Sequence, residues 1–95
     1  MSLNSSMKVS EDVVFRELDG EGVILNLASG IYFGLDETGT RMWRLIDQHG
    51  HLRAVLAALC DEYDAPSETL ERDLIVLVSE LTERGLLAPV DENAA

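Results

Sequence analysis

Histidine and cysteine are few in this chain, and they form no catalytic pattern. His49 and His51 flank Gly50, but the usual spacings of zinc ligands are absent. Cys60 falls in an apolar helical stripe, where a thiol behaves as a small hydrophobe. Ser29 has no nucleophile-elbow motif around it, and the glycines fall at turns rather than in a phosphate-binding loop. We therefore expect no enzymatic activity, no metal site and no cofactor.

Residues 31–35 offer another kind of chemistry, which is hydrogen bonding by the main chain. The segment is rich in aromatic and β-branched residues and contains neither proline nor charge. A strand of this kind at a sheet edge exposes N–H and C=O groups that another chain can use. Gly34 permits close approach of a second backbone. Two alternatives stay open: the edge receives a partner, or the N-terminal segment or a second subunit covers it.

The last predicted helix has more apolar positions than an ordinary surface helix needs. One stripe already follows the helical repeat, with Leu70, Leu74, Leu77, Val78 and Leu81. At 100° per residue, Ile75 and Val76 lie on opposite flanks of that stripe. The helix is therefore either buried on several sides or keeps one flank for a partner.

The elements that must position these features divide into strands followed by helices. Asp19-Gly20 is a strong hairpin signal, Asp36 is a candidate N-cap, and Gly50 and Gly85 are helix-ending glycines. The sequence predicts an α+β, winged helix-turn-helix-like fold, in which a three-stranded antiparallel sheet precedes three helices. The predicted strands are residues 13–18, 23–27 and 31–35, and the predicted helices are residues 36–49, 52–63 and 66–84. We expect a disordered N-terminal tail at residues 1–8, one folded domain at residues 9–88 and a disordered C-terminal tail at residues 89–95.

The charge balance disfavours several classes of partner. Asp and Glu number 18 against 7 Lys and Arg, giving a net charge of −11. Nucleic acid and anionic membranes would be repelled by such a surface. No apolar run is long enough to span a bilayer. A single cysteine cannot form an internal disulfide, so the expected location is the cytoplasm.

Several segments, in their order and spacing, resemble the PqqD family, whose members are leader-binding domains also called RiPP recognition elements. The resemblance covers roughly residues 9–87, and no single segment is diagnostic. The matching segments are residues 23–27, 30–39, 42–46, 59–63, 70–81 and 83–87. The resemblance implies a non-catalytic peptide chaperone that binds the leader of a ribosomally synthesised precursor peptide.

The resemblance also implies a binding mode, in which the leader adds as a strand beside the third strand and packs on the third helix. Carried over by position, this assigns main-chain pairing to Ile31, Tyr32, Phe33 and Gly34. On the helix side, the residues assigned to the groove are Asp73, Val76, Leu77 and Glu80. Asp73 matches a recurrent acidic position of the family and could meet a basic residue of the leader.

The implied second partner is a maturation enzyme, either a radical-SAM enzyme or a leader protease with a cyclase. Ala28-Ser29-Gly30 replaces the Pro-Glu segment that we associate with pyrroloquinoline quinone biosynthesis. The chain therefore looks closer to stand-alone members beside lasso-peptide and radical-SAM systems. The alternatives are a self-associating module, such as a homodimer through the third strand, and a DNA-binding winged helix. The acidic third helix disfavours the DNA-binding function.

Overall fold

The computed structural model describes residues 2–90, and within them four strands are followed by three helices and a last short strand. Strands β2, β3 and β4 make an antiparallel sheet in that order, while β1 and β5 make a separate antiparallel pair. The elements are β1 (Met7–Val9), β2 (Val13–Leu18), β3 (Glu21–Asn26), β4 (Tyr32–Gly34), α1 (Glu37–His49), α2 (Leu52–Glu62), α3 (Ser67–Glu83) and β5 (Leu87–Pro89). The predicted α+β fold of three strands followed by three helices is confirmed.

The turns and caps form where the residue types favour them. Asp19 and Gly20 both have positive φ, at 54° and 84°, as a two-residue type I′ hairpin requires. The side chain of Asp36 accepts a hydrogen bond from the Gly39 N–H at 2.7 Å and so caps α1. Gly50, with φ 76°, follows the end of α1. These predictions from sequence are confirmed.

One glycine joins the sheet to the first helix. The Gly22 N–H donates to Thr40 Oγ1 at 2.8 Å, and the Gly22 carbonyl accepts from the Leu35 N–H at 2.8 Å. A Cβ at position 22 would lie 2.7 Å from Cζ of Phe15, so only glycine fits beneath that ring. The buried Thr40 hydroxyl therefore fixes the start of α1 against β3, at the point where β4 leads into the helix.

The N-terminal segment is more ordered than the sequence predicts. We expected a disordered tail at residues 1–8, but Met7 and Lys8 belong to β1, which pairs with β5. Met7 is only 2% exposed and joins the core. The expected C-terminal tail also starts too early, because Pro89 lies in β5 and the Val90 N–H donates to Ser6. Residues 91–95 of that tail lie outside the described residues.

The physical reason for this difference is strand length. A three-residue strand is too short to show the alternation of apolar and polar residues that identifies strands in a sequence. Main-chain hydrogen bonds hold the segment instead, including Met7 N–H to the Gly50 carbonyl at 2.9 Å and Leu52 N–H to the Ser5 carbonyl at 3.0 Å.

The helices pack around an apolar cluster of buried residues. Trp43 is buried and stacks on Phe15 with ring centroids 5.9 Å apart. Cys60, expected in the core, is exposed instead. It lies about 100° around α2 from Leu59, on the flank of the buried stripe. No helix in residues 2–90 combines the length and the apolar character needed to cross a membrane.

An ion pair on the surface connects α1 and α2. Arg41 donates to both carboxylate oxygens of Glu62, at 2.6 and 2.7 Å. This hydrogen bonding lowers the pKa of Glu62 and raises the pKa of Arg41. The contribution of Glu62 to stability is therefore present at neutral pH and is lost as the pH falls through its lowered pKa. It is small, because both side chains are more than a third exposed.

Replacing Thr40 tests the connection between β3 and α1. Thr40→Val keeps the shape but leaves the buried Gly22 N–H without its acceptor, which costs about 1–3 kcal/mol. We expect chemical denaturation to show that loss in the free energy of unfolding. Thr40→Ser, which keeps the hydroxyl, is the matched control and should lose less. Equal losses in the two variants would show that the hydrogen bond contributes nothing.

Candidate functional site

The free edge of β4 carries main-chain groups that point away from the sheet. Among residues 2–90, β4 is an outer strand whose one pairing partner is β3. The Ile31 carbonyl accepts from Asn26 and the Leu35 N–H donates to Gly22, so residues 31 and 35 are turned towards β3. Because hydrogen-bonded and non-bonded pairs alternate along an antiparallel ladder, Phe33 is turned inward as well. The outward N–H and C=O groups are therefore those of Tyr32 and Gly34.

This geometry narrows the prediction from sequence, which assigned main-chain pairing to all four residues 31–34. Tyr32 and Gly34 offer groups to an added strand, whereas the main chains of Ile31 and Phe33 face β3. The role of these residues in peptide binding stays a prediction. A sequence pattern indicates a strand and its length. It does not show which residues turn their main-chain groups towards the neighbouring strand, because that depends on how the two strands pair.

In the described chain, no segment of the protein covers this edge. β1, which was one candidate to cover it, pairs with β5. Within residues 2–90, no hydrogen bond uses the outward main-chain groups of Tyr32 and Gly34. The edge is therefore open on the side where an added strand would lie.

A groove between α3 and the start of α1 lies close to the end of β4. Its volume is about 440 Å³, and Asp36, two residues beyond Gly34, lines it. The structure brings together here all four helix residues that the sequence analysis named, which are Asp73, Val76, Leu77 and Glu80. Val76 is 51% exposed in the middle of an otherwise well-packed helix. The sequence left open whether α3 is buried on several sides or keeps one flank for a partner, and the exposure of Val76 favours the second alternative.

The groove is acidic at its rim. Asp36, Asp73 and Glu80 line it, and Arg72 is the one cation among the described lining residues. Just after the C-terminal end of α3, the Arg84 guanidinium lies 5.1 Å from the ring centroid of Phe33. Phe33 packs against the core, so its side chain faces the helices while the Tyr32 side chain faces solvent. The groove can hold an apolar side chain and favours a neighbouring positive charge.

A second depression, of about 600 Å³, continues along α3 towards its N-terminus. It shares Arg72 and Val76 with the first groove, and its other lining residues are Ser2, Leu3, Asn4, Arg53, Glu68, Glu71 and Ile75. This depression was not predicted from the sequence, because the N-terminal segment was expected to form a disordered tail. Leu3 and Met7, apolar residues among polar ones, were the available signal.

Polar side chains that could have belonged to an active site have structural roles instead. His51 Nδ1 accepts from the Arg53 N–H at 3.3 Å and caps α2. Ser29 Oγ accepts from the Ile31 N–H at 3.3 Å within the turn before β4. Within residues 2–90, His, Cys, Asp and Glu side chains nowhere gather in threes as a metal ion would need.

The fold and this site define a class of small α+β domain with an open strand edge beside an apolar helical groove. The family model for coenzyme PQQ synthesis protein D (PqqD) matches residues 21–87, which is most of the chain. The protein belongs to the PqqD family, as its resemblance in sequence predicts. The comparison with curated proteins finds no match.

Two solved structures are similar over nearly their whole length. TbiB1, in complex with the TbiA(beta) leader peptide, is 38% identical, with a TM-score of 0.78, over 93% of this chain and 98% of that one. A lasso peptide synthetase B1, complexed with the leader peptide, is 25% identical with a TM-score of 0.78. That match covers 88% of this chain and 99% of the other.

Proposed function

We propose that this protein binds the leader of a ribosomally synthesised precursor peptide and presents the peptide to a modifying enzyme. The leader adds as a strand beside β4 and packs side chains into the groove along α3. The observation that carries the proposal is the outward main chain of Tyr32 and Gly34 next to that groove. Both similar solved structures are complexes with a leader peptide, which supports the same role here.

The product class that we propose is a lasso peptide. One similar structure is a lasso peptide synthetase B1, and Ala28-Ser29-Gly30 departs from the segment associated with pyrroloquinoline quinone biosynthesis. The second partner is then a leader protease with a cyclase rather than a radical-SAM enzyme. The protein performs no bond chemistry itself and acts in the cytoplasm. It raises the local concentration of the substrate at the enzyme.

The groove suggests which leaders are selected. An added strand presents alternate side chains to the α3 side, where Val76 and Leu77 favour apolar residues. Asp73 and Glu80 favour a lysine or arginine next to them. The net charge of −11 makes a basic leader approach faster and an acidic one slower.

Gly34 provides the sharpest test of strand addition. Gly34→Pro removes the outward N–H and places a ring where the added strand would lie, while proline is tolerated on an edge strand. We expect the affinity for the leader encoded by the neighbouring precursor gene to fall about tenfold or more, as measured by isothermal titration calorimetry.

Gly34→Ala is the matched control for that change. It keeps the N–H, and its Cβ has open space, so leader affinity should stay within about threefold of the original. If Gly34→Pro binds the leader as well as Gly34→Ala does, strand addition at β4 is wrong.

Light scattering of the free protein checks whether the edge of β4 pairs with a second copy of the chain, in which case the leader would have to separate a dimer.

Val76 tests the helix side of the groove. Val76→Ser removes exposed apolar surface without opening the core, so the fold should be retained. Losing the burial of this side chain against the leader costs about 1–2 kcal/mol, which is roughly a tenfold loss of affinity. Val90→Ser, at an exposed valine away from the groove, is the control and should bind normally. Equal affinity of the two variants would exclude α3 from the binding site.

A further inference from the structure

The face of the β2–β3–β4 sheet that points away from the helices is exposed and apolar. The opposite face packs on the core through Phe15, Ile24 and Phe33. On the outer face, the register places Val14, Leu25 and Tyr32 side by side across the three strands. Val14 is 38% exposed and Tyr32 72% exposed.

A second row on the same face has a cation at one end. It consists of Arg16, Val23 and Gly34, and Val23 is 47% exposed although it lies on the central strand. An antiparallel sheet with one face on the core usually places polar residues on its other face. Here valine, leucine and tyrosine occupy most of those positions. A continuous apolar patch of this kind marks a surface for a protein partner.

The charges indicate what kind of partner fits. Arg16 has no ion pair or hydrogen bond within the described chain, although the protein has a net charge of −11. A second copy stacked symmetrically on this face would bring two Arg16 side chains and two strongly acidic molecules together. The charges therefore favour a different protein, with an apolar surface that carries a carboxylate opposite Arg16.

The patch is continuous with the proposed leader-binding edge. A strand added to β4 extends the outer face from three strands to four, and alternate leader side chains lie next to Tyr32 on that face. A depression of about 420 Å³ opens at Val23, Gly34 and Leu35, beside the position of the added strand. A protein docked on the outer face would thus contact this chain and its bound leader together.

We propose that the outer face of the sheet, completed by the bound leader, is the surface on which the modifying enzyme of the pathway docks. This inference rests on the proposed function and adds to it the enzyme's binding surface. The enzyme supplies an apolar patch with an acidic residue facing Arg16. Because it contacts the leader strand as well, it binds the loaded protein more tightly than the free protein. The enzyme in turn raises the affinity for the leader by the same fold-change, because coupling between two binding sites is reciprocal.

The test uses the full chain, the leader of the neighbouring precursor gene and the modifying enzyme encoded beside it. The double variant Val14→Thr with Val23→Thr makes the outer face polar while keeping β-branched side chains. Leader affinity should be unchanged, which also shows that the variant is folded. Its affinity for the enzyme in the presence of leader should fall at least tenfold, as measured by biolayer interferometry. Val90→Thr is the matched control and should keep both affinities.

Charge and coupling supply two further measurements. Arg16→Glu should weaken enzyme binding at least tenfold, whereas Arg16→Lys should keep most of it. Leader at saturating concentration should strengthen enzyme binding to the original protein by about tenfold, within the usual range of such coupling.

The outcomes separate this inference from the proposed function. If the original protein does not bind the leader, the proposed function is wrong, and this inference is wrong with it. If leader binds normally but the double variant binds the enzyme as the original protein does, only the docking surface is wrong. The same holds if light scattering shows a dimer that the double variant abolishes, because the face would then be occupied by a second copy.

Discussion

The Gly22 main chain is the point on which the geometry of the site depends. Its N–H donates to the buried Thr40 hydroxyl, its carbonyl accepts from Leu35, and its α-carbon lies beneath the ring of Phe15. These contacts hold three elements at one place: the central strand β3, the end of the edge strand β4 and the first turn of α1. The groove along α3 begins at Asp36, immediately after this junction, so the distance from strand edge to groove is set there.

The two faces and the edge of this small sheet therefore have three different roles. The inner face, through Ile24 and Phe33, provides the core on which the helices pack. The edge of β4 leaves the main chain of Tyr32 and Gly34 free for a strand. The outer face is apolar and exposed to solvent in the described part of the chain. A domain of this size has little room for a deep cavity. Main-chain pairing provides affinity without one, and the α3 groove then contributes selectivity.

Much of the fold was predictable because local residue types determine it. Asp19-Gly20 specifies a type I′ turn and Asp36 specifies a helix start. The surplus of apolar residues around Val76 left two alternatives open, burial of the helix on several sides or an exposed flank, and the exposure of Val76 favours the second. The short strands β1 and β5 were not predictable, because they form through long-range pairing and are too short to show a period. Cys60 was misplaced because a stripe of moderate width does not show where burial ends.

The sequence alone also did not predict which face of the sheet packs on the helices. Val23, Leu25 and Leu27 form the wholly apolar side of the second predicted strand, yet Val23 and Leu27 are exposed and Ile24 is buried. Alternation identifies two faces but does not say which one packs on the helices. Gly22 decides it, because only the side of the strand with glycine admits the ring of Phe15 and the hydroxyl of Thr40.

The central claim is that an extended peptide pairs with β4, and intermolecular nuclear Overhauser effects test it most directly. They would be measured between isotope-labelled protein and unlabelled leader of the neighbouring precursor. The account predicts contacts from the backbone protons of Tyr32 and Gly34 to the leader backbone, with the Val76 methyl groups contacting leader side chains. Contacts confined to the other sheet edge, at the outward main chain of Phe15 and Glu17, would contradict the account.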